Sequence, residues 1–209
     1  MNPRVVLSVI ASVLLLHAAV FAKEDPTKPH VGSSQPPMAP EESQKKFAVP
    51  PGFEVRLFAA EPDVVNPVAM TWDEKGRLWV VELYEYPNGA KPGEKGRDRV
   101  KVYWDTDGDE RADKSVVFCD GLSLATAVLV GDGGVYVGQA PHLYFYPIVS
   151  DGPDGPKAGE RKTALTGFGL EDRHELLNSF VWGPDGHLYM THGVFTHSRV
   201  KDQIGRAHV

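Results

Sequence analysis

Apolar and polar positions alternate in three stretches of this chain, and the three share one plan. They are AMTWDEKGRLWVVE (69–82), AVLVGDGGVYVGQ (127–139) and SFVWGPDGHLYMTH (179–192). Each reads as a short apolar strand, a turn rich in Gly and Asp, a second apolar strand and then a polar residue. The turn glycines Gly76, Gly134 and Gly186 recur at a spacing of roughly 50 residues, the period of a strand-built repeat. Strands and turns repeating at that length predict an all-β protein, a β-propeller with one antiparallel blade per repeat. The pattern places Leu78 to Val81, Val135 to Val137 and Leu188 to Met190 as equivalent innermost strands. It puts Glu82, Gln139 and His192 at one repeat phase, and hence at one mouth of a central channel.

The rest of each repeat supplies the outer strands. Residues 68–72, 77–83, 99–104 and 115–118 make the first blade. Residues 126–130, 135–138, 143–146 and 162–165 make the second, with SDGPDGPKAGE (150–160) as a flexible, solvated turn. The third begins at Ser179 and gives two strands. FEVRLFA (53–59) alternates and predicts a half-buried strand, the outer strand that closes the ring against the last blade. A propeller needs at least four blades. The three present predict a polypeptide that continues, with IGRAHV (204–209) a sequence artefact or tail. The propeller portion is therefore 47–203.

Before it lie two segments of other kinds. Arg4, the apolar run VVLSVIASVLLL (5–16) and Val20-Phe21-Ala22 read as a secretory signal over 1–22. An uncleaved membrane anchor is the competing reading. Residues 23–46 hold five prolines among Ser, Glu and Lys and predict a disordered tether. The chain is thus expected to be exported, to the periplasm or the cell surface, with membrane association as the variant. A formal charge of −6 with no basic stripe argues against nucleic acid as a partner. The single Cys119 excludes an internal disulfide and reads as a small buried residue; no CxxCH is present, so the chain has no c-type haem site.

The sharpest local motif is DTDGDERAD (105–113). Asp105, Asp107, Asp109 and Asp113 occupy positions 1, 3, 5 and 9 of a tight turn, with the Arg111 carbonyl at position 7. Hard oxygen donors at that spacing suit Ca²⁺. Glu110 at position 6 and Val116 at position 12 exclude a helix-loop-helix calcium loop. An acidic turn that keeps a hairpin soluble is the other reading.

A second cluster lies in 170–198. His174 precedes the first strand of the third repeat and His192 follows the second, so antiparallel pairing brings both to one end. His174 is the candidate general base; hydrogen bonding to a loop carbonyl is its structural alternative. His174, His192 and His197 as a metal set is a weaker reading, and His187 belongs to the turn. Asn178 sits before the strand, where it either anchors the loop or contacts a ligand. Glu82, Gln139, Asn178 and His192 are the candidate ligand-binding residues. Trp72, Trp79, Tyr136, Trp182 and Tyr189 recur with the repeat and read as core between blades.

PPGFEVRLFAAEP, GRLWVVE, DTDGDERAD and LNSFVWGPDGHLYMTHGVFTHS together resemble a family of large secreted proteins of planctomycete-type bacteria, labelled membrane-bound dehydrogenases or haem-binding CxxCH proteins. The propeller of that family is similar to the glucose/sorbosone dehydrogenases, which bind pyrroloquinoline quinone (PQQ). The resemblance covers residues 50–200. It implies a six-bladed propeller in the complete protein, often followed by helical repeats and a cytochrome c domain as electron acceptor. It implies a sugar or small polyol substrate and His174 as the base that takes the hydroxyl proton. The cationic residues that hold PQQ in those enzymes lie further along the chain than this sequence reaches. Two other functions stay open: a propeller that binds glycans or proteins without catalysis, and a calcium-dependent lactonase-type hydrolase.

Overall fold

The computed structural model describes residues 37–202. The predicted signal, most of the tether and the 204–209 tail lie outside the described residues. Within them the chain is all-β apart from one short helix, α1 (Pro40–Gln44). Its strands are β1 (Pro67–Trp72), β2 (Leu78–Glu82), β3 (Asp98–Trp104), β4 (Lys114–Leu122), β5 (Ala127–Gly131) and β6 (Gly134–Gln139). Then follow β7 (His142–Gly152), β8 (Gly155–Ala158), β9 (Lys162–Thr166), β10 (Asn178–Trp182), β11 (Leu188–Thr191) and β12 (Lys201–Asp202). All pairing is antiparallel. β1 to β4 form one sheet in chain order, β10 and β11 a hairpin, and β5, β6, β7, β9 and β12 a second sheet with β8 hydrogen-bonded to the outer part of β7. None of the sheets closes on itself.

The repeat dictates how the sheets stack. Because side chains alternate along a strand, each second strand has one apolar face on either side. Trp79 and Val81 of β2 pack with Val128, Val135 and Val137 of the second sheet in one core. Tyr136, on the opposite face of β6, joins Phe180, Leu188 and Met190 of the third hairpin around Leu143 and Leu177. The positions equivalent to Val135 and Val137 in the first sheet are Leu78 and Val80. They are covered by Phe58, Val64 and Ala112.

Four features depart from the sequence reading. First, the inner strands that approach one another between sheets are β1, β5 and β10, the first strand of each repeat, while β8 meets β4 at the outer side. Leu78 to Val81, Val135 to Val137 and Leu188 to Met190 are the second strands. In a simple meander the first strand is left at the edge, which alternation alone does not reveal. Second, the left-handed glycine of the middle turn is Gly133 (φ 72°), not Gly134; Asp132 beside it has φ 52°, so the two residues make a tight hairpin turn. Third, residues 53–59 form no strand. A strand needs a ladder partner, and here the Gln44 side chain donates to the Val55 carbonyl (2.5 Å) and the Ala112 N–H to that of Phe58 (2.9 Å). Gln44 belongs to α1, which lies in the stretch expected to be disordered; Pro40 at its start and Glu41 and Glu42 in its first turn suit a helix N-terminus. Fourth, the turn expected to be flexible is the β7–β8 hairpin, whose Asp151 is gripped by Arg77 of the first sheet at 2.6 and 2.9 Å.

Burial of the recurrent aromatics follows the stacking. Trp79 is fully buried and meets Phe118 edge-on, and Tyr136 meets Trp182. Trp72 (54% exposed) and Tyr189 (51% exposed) lie on faces that no sheet covers. Cys119 is a buried free thiol whose burial pushes its pKa up to about 12.

Candidate functional site

Where β1, β5 and β10 converge there is a cavity of about 460 Å³. Its walls are apolar: Val68 and Met70 from β1, Ala127 and Val128 from β5, Phe180 from β10, with Leu83 and Leu176. Its polar groups are Thr126, Arg173 and His174 on the loops that enter β5 and β10, Asn178 and Ser179 at the start of β10, and Tyr86 on the long loop after β2. An apolar pocket with a few convergent polar groups is the usual form of a small-molecule site.

Local structure fixes these groups in pairs. The His174 N–H donates to the Asp172 carboxylate (2.8 Å), turning the loop just before β10. The ring of His174 meets Tyr86 edge-on, at 5.6 Å between centroids, and its Nδ1 hydrogen-bonds the Tyr86 hydroxyl. Arg173 donates to the Pro87 carbonyl (3.3 Å) and to that of Asn88. The long loop after β2 is thereby tied to the loop before β10. Asn178 donates to the Leu176 carbonyl (2.6 Å), while its own side-chain oxygen accepts from Ser179 Oγ (2.6 Å) and Thr191 Oγ1 (2.7 Å). Ser179 is held at φ 55°, beside a bulge in the β10–β11 register. Non-glycine residues rarely adopt that conformation, and such outliers concentrate at binding sites.

Of the candidate ligand residues, His174 and Asn178 line this cavity; Glu82, Gln139 and His192 lie outside its lining. Glu82 is fully buried on the β2 face that looks away from the second sheet. It accepts from the Val65 N–H (2.9 Å), Tyr103 (2.9 Å) and Tyr84 (3.1 Å) hydroxyls and Arg99 Nε. Burial pushes its pKa up, but these donors and the nearby Lys101 outweigh that and hold the carboxyl below its ordinary value. Glu82 is thus a structural anchor. Gln139 accepts from the Ser123 N–H (2.9 Å) and fixes the start of the second repeat. His192 sits at the same end of the third hairpin as His174, because the Gly193 N–H donates to the Glu175 carbonyl (2.9 Å). Its Nδ1 meets the Thr196 and Ser198 hydroxyls, each at 2.9 Å, and its ring stands edge-on to Phe168. His197 is exposed near Glu171, and His187 is exposed in the turn.

The acidic turn forms a separate site. Asp105, Asp107 and Asp109 bring carboxylate oxygens within 4.8 Å of one another. Asp105 accepts from the N–H groups of Asp107 (3.0 Å), Gly108 (2.7 Å) and Glu110 (2.7 Å), which lowers its pKa. Asp113 instead turns to Thr106, accepting from its N–H (3.1 Å) and hydroxyl. The Arg111 side chain lies near Glu41.

Sequence reasoning missed Tyr86, Arg173, Thr126 and Ser179. Tyr86 is 88 residues from its partner His174. The only sequence signal was an aromatic in a long loop directly after an inner strand.

The fold and site define a class: stacked antiparallel sheets with a cavity where their first strands meet. The chain matches, over residues 39–208, the family described as domain of unknown function DUF7133, and it belongs to that family. No curated protein and no solved structure matches it.

Proposed function

We propose that the three repeats are blades of a β-propeller, and that the cavity at their first strands binds a small polyhydroxylated molecule such as a sugar. The stacking rule supports the propeller. Each sheet offers one apolar face backward and one forward, and two faces of the same composition stay open at the ends. Met70 and Trp72 on β1 are the repeat equivalents of Val128 and Val130. Val181 and Tyr189 are the equivalents of Thr71 and Trp79. Met70, Trp72, Val181 and Tyr189 are all more than half exposed. Further blades, six in all by the resemblance, would cover both.

The observation that carries the ligand reading is the cavity itself, with neutral hydrogen-bonding groups above an apolar floor. Beyond the bonds they already make to one another and to the Leu176 and Leu177 carbonyls, the second N–H of the Asn178 amide can donate, and the hydroxyl oxygens of Ser179 and Thr126 can accept, from ligand hydroxyls. Among the described residues no carboxylate lines the cavity. In the dehydrogenase reading His174 takes the proton of a substrate hydroxyl, in an exported protein that passes electrons to a cytochrome c partner. The described residues do not fit PQQ. That quinone carries three carboxylates, and the cavity lining supplies one guanidinium, Arg173, already engaged by two carbonyls. Any hydride acceptor therefore has to be held by other residues. For the acidic turn we propose a structural Ca²⁺ held by Asp105, Asp107 and Asp109, with remaining oxygens from backbone and water.

The test is binding. Saturation-transfer NMR with a panel of aldoses, polyols and lactones should show contact for at least one sugar or polyol, lost in Asn178→Ala and His174→Ala. Contact that survives both substitutions overturns the assignment of the cavity. A lactone as the sole ligand favours the hydrolase instead.

A further inference from the structure

We propose that Tyr86 is the positioning residue of His174, fixing which ring nitrogen meets the ligand; the proposal rests on the reading of the cavity as a ligand site. An imidazole on a loop turns freely about its side-chain bonds and exchanges its proton between two nitrogens. At His174 one neighbour holds the ring and, on this proposal, sets the tautomer as well. The Tyr86 hydroxyl engages Nδ1, and the phenol ring stands at 69° to the imidazole. With Nδ1 occupied, Nε2 is the nitrogen left for a ligand in the cavity that both residues line. A base must present a lone pair there. The proton therefore sits on Nδ1 and is donated to Tyr86 Oη, and Nε2 is the acceptor. When Nε2 takes a proton from a hydroxyl, the resulting imidazolium keeps its hydrogen bond to the phenol oxygen.

Tyr86 is itself held in place. Its loop is fastened by Arg173, the residue before His174, through the carbonyls of Pro87 and Asn88. At the foot of the same loop Asp98 accepts from the N–H groups of Tyr84 (2.6 Å) and Glu85 (2.9 Å). Gly89, in the same loop, takes a left-handed backbone conformation (φ 75°) that residues with a Cβ rarely adopt. The first sheet thus supplies the partner that orients a residue of the third repeat. Tyr86 does not act on the ligand in this proposal; it acts through His174.

The experiment reads the tautomer directly. The full chain is labelled with ¹⁵N-histidine, and ring nitrogens are recorded at about pH 8, above the ordinary imidazole range. His174 is assigned by the signals lost in His174→Gln. The expected result is a protonated-type Nδ1 and an unprotonated-type Nε2 in the wild type. In Tyr86→Phe the pattern should reverse or average, while the remaining histidine signals stay in place. A wild-type spectrum with the proton on Nε2, or an unchanged pattern in Tyr86→Phe, overturns the proposal. Arg173→Gln, which loosens the loop and leaves the phenol intact, should weaken the pattern without reversing it; no change there also counts against it. The ligand reading fails separately: sugar contacts unaffected by His174→Ala sink that reading while the tautomer result stands.

Discussion

Arg77 grips Asp151 with two parallel hydrogen bonds, 2.6 and 2.9 Å long, and so pins the β7–β8 hairpin of the second sheet to the first turn of the first. The guanidinium is nearly buried, and its Nε also donates to Asp73 (2.7 Å), which in turn accepts from the Trp79 indole (2.9 Å). Arg77 and Lys75 hold the Asp151 carboxyl down at about 2. Asp151→Asn should lower stability by about 1–3 kcal/mol in urea unfolding.

The pH dependence follows from the same pair. The folded pKa is depressed, so the stabilisation is complete above the ordinary carboxylate value of about 4 and is lost as pH falls toward about 2. Wild type and Asp151→Asn should therefore differ in melting temperature at neutral pH and converge in acid. Parallel curves down to low pH would show that the pair contributes nothing.

Glu82 gives the largest expected loss. Its carboxylate is fully buried and accepts from a backbone N–H, two phenols and Arg99. Removing it leaves a charge and several donors without their partner. Glu82→Ala should cost about 3–5 kcal/mol, with Glu82→Gln milder because one acceptor oxygen remains. Neither should alter ligand contacts in the cavity except through unfolding. A Glu82→Ala protein that melts like the wild type would refute this role.

The acidic turn separates a cation site from a merely soluble hairpin. If Asp105, Asp107 and Asp109 hold Ca²⁺, adding millimolar Ca²⁺ should raise the melting temperature, and Asp107→Ala should abolish the rise. Mg²⁺ should do less, since it demands tighter octahedral geometry. Equal melting with Ca²⁺, Mg²⁺ and chelator leaves only the soluble turn.

Much of the fold was legible in the chain, and the reason is the repeat. Nearly every strand follows from alternation and turn residues, because a half-buried strand must alternate and a tight turn must carry Gly or Asp. What alternation cannot show is which strand of a pair faces the neighbouring sheet, so in sequence the shared repeat phase of Glu82, Gln139 and His192 points to a common mouth. The three residues end second strands and serve three separate networks. His174 and Asn178 line the cavity because they lie at the entrance of β10, a first strand, and the first strands meet there. Tyr86, Arg173 and Asp151 depend on contacts across 74 to 88 residues. No local pattern encodes such contacts. Residues 53–59 alternate like a strand but have no strand beside them: their backbone bonds go to the Pro50 carbonyl, the Gln44 side chain and the Ala112 N–H.

One repeat position gives opposite outcomes depending on what covers it. Val128 and Met70 are equivalent, yet Val128 is 4% exposed between two sheets and Met70 is 62% exposed at the end of the stack. An unpaired carboxylate in an apolar interior costs several kcal/mol, whereas on an open face it costs little. Val128→Glu should therefore unfold this chain, while Met70→Glu leaves its melting temperature near that of the wild type and reduces self-association. In a longer polypeptide carrying further blades, Met70→Glu should destabilise as Val128→Glu does here, because the propeller reading covers that face with another sheet. Circular dichroism melts of the two variants in both lengths decide the matter. If Met70→Glu is harmless in the long form, no further blade covers the Met70 face of the first sheet, and the ring does not close there.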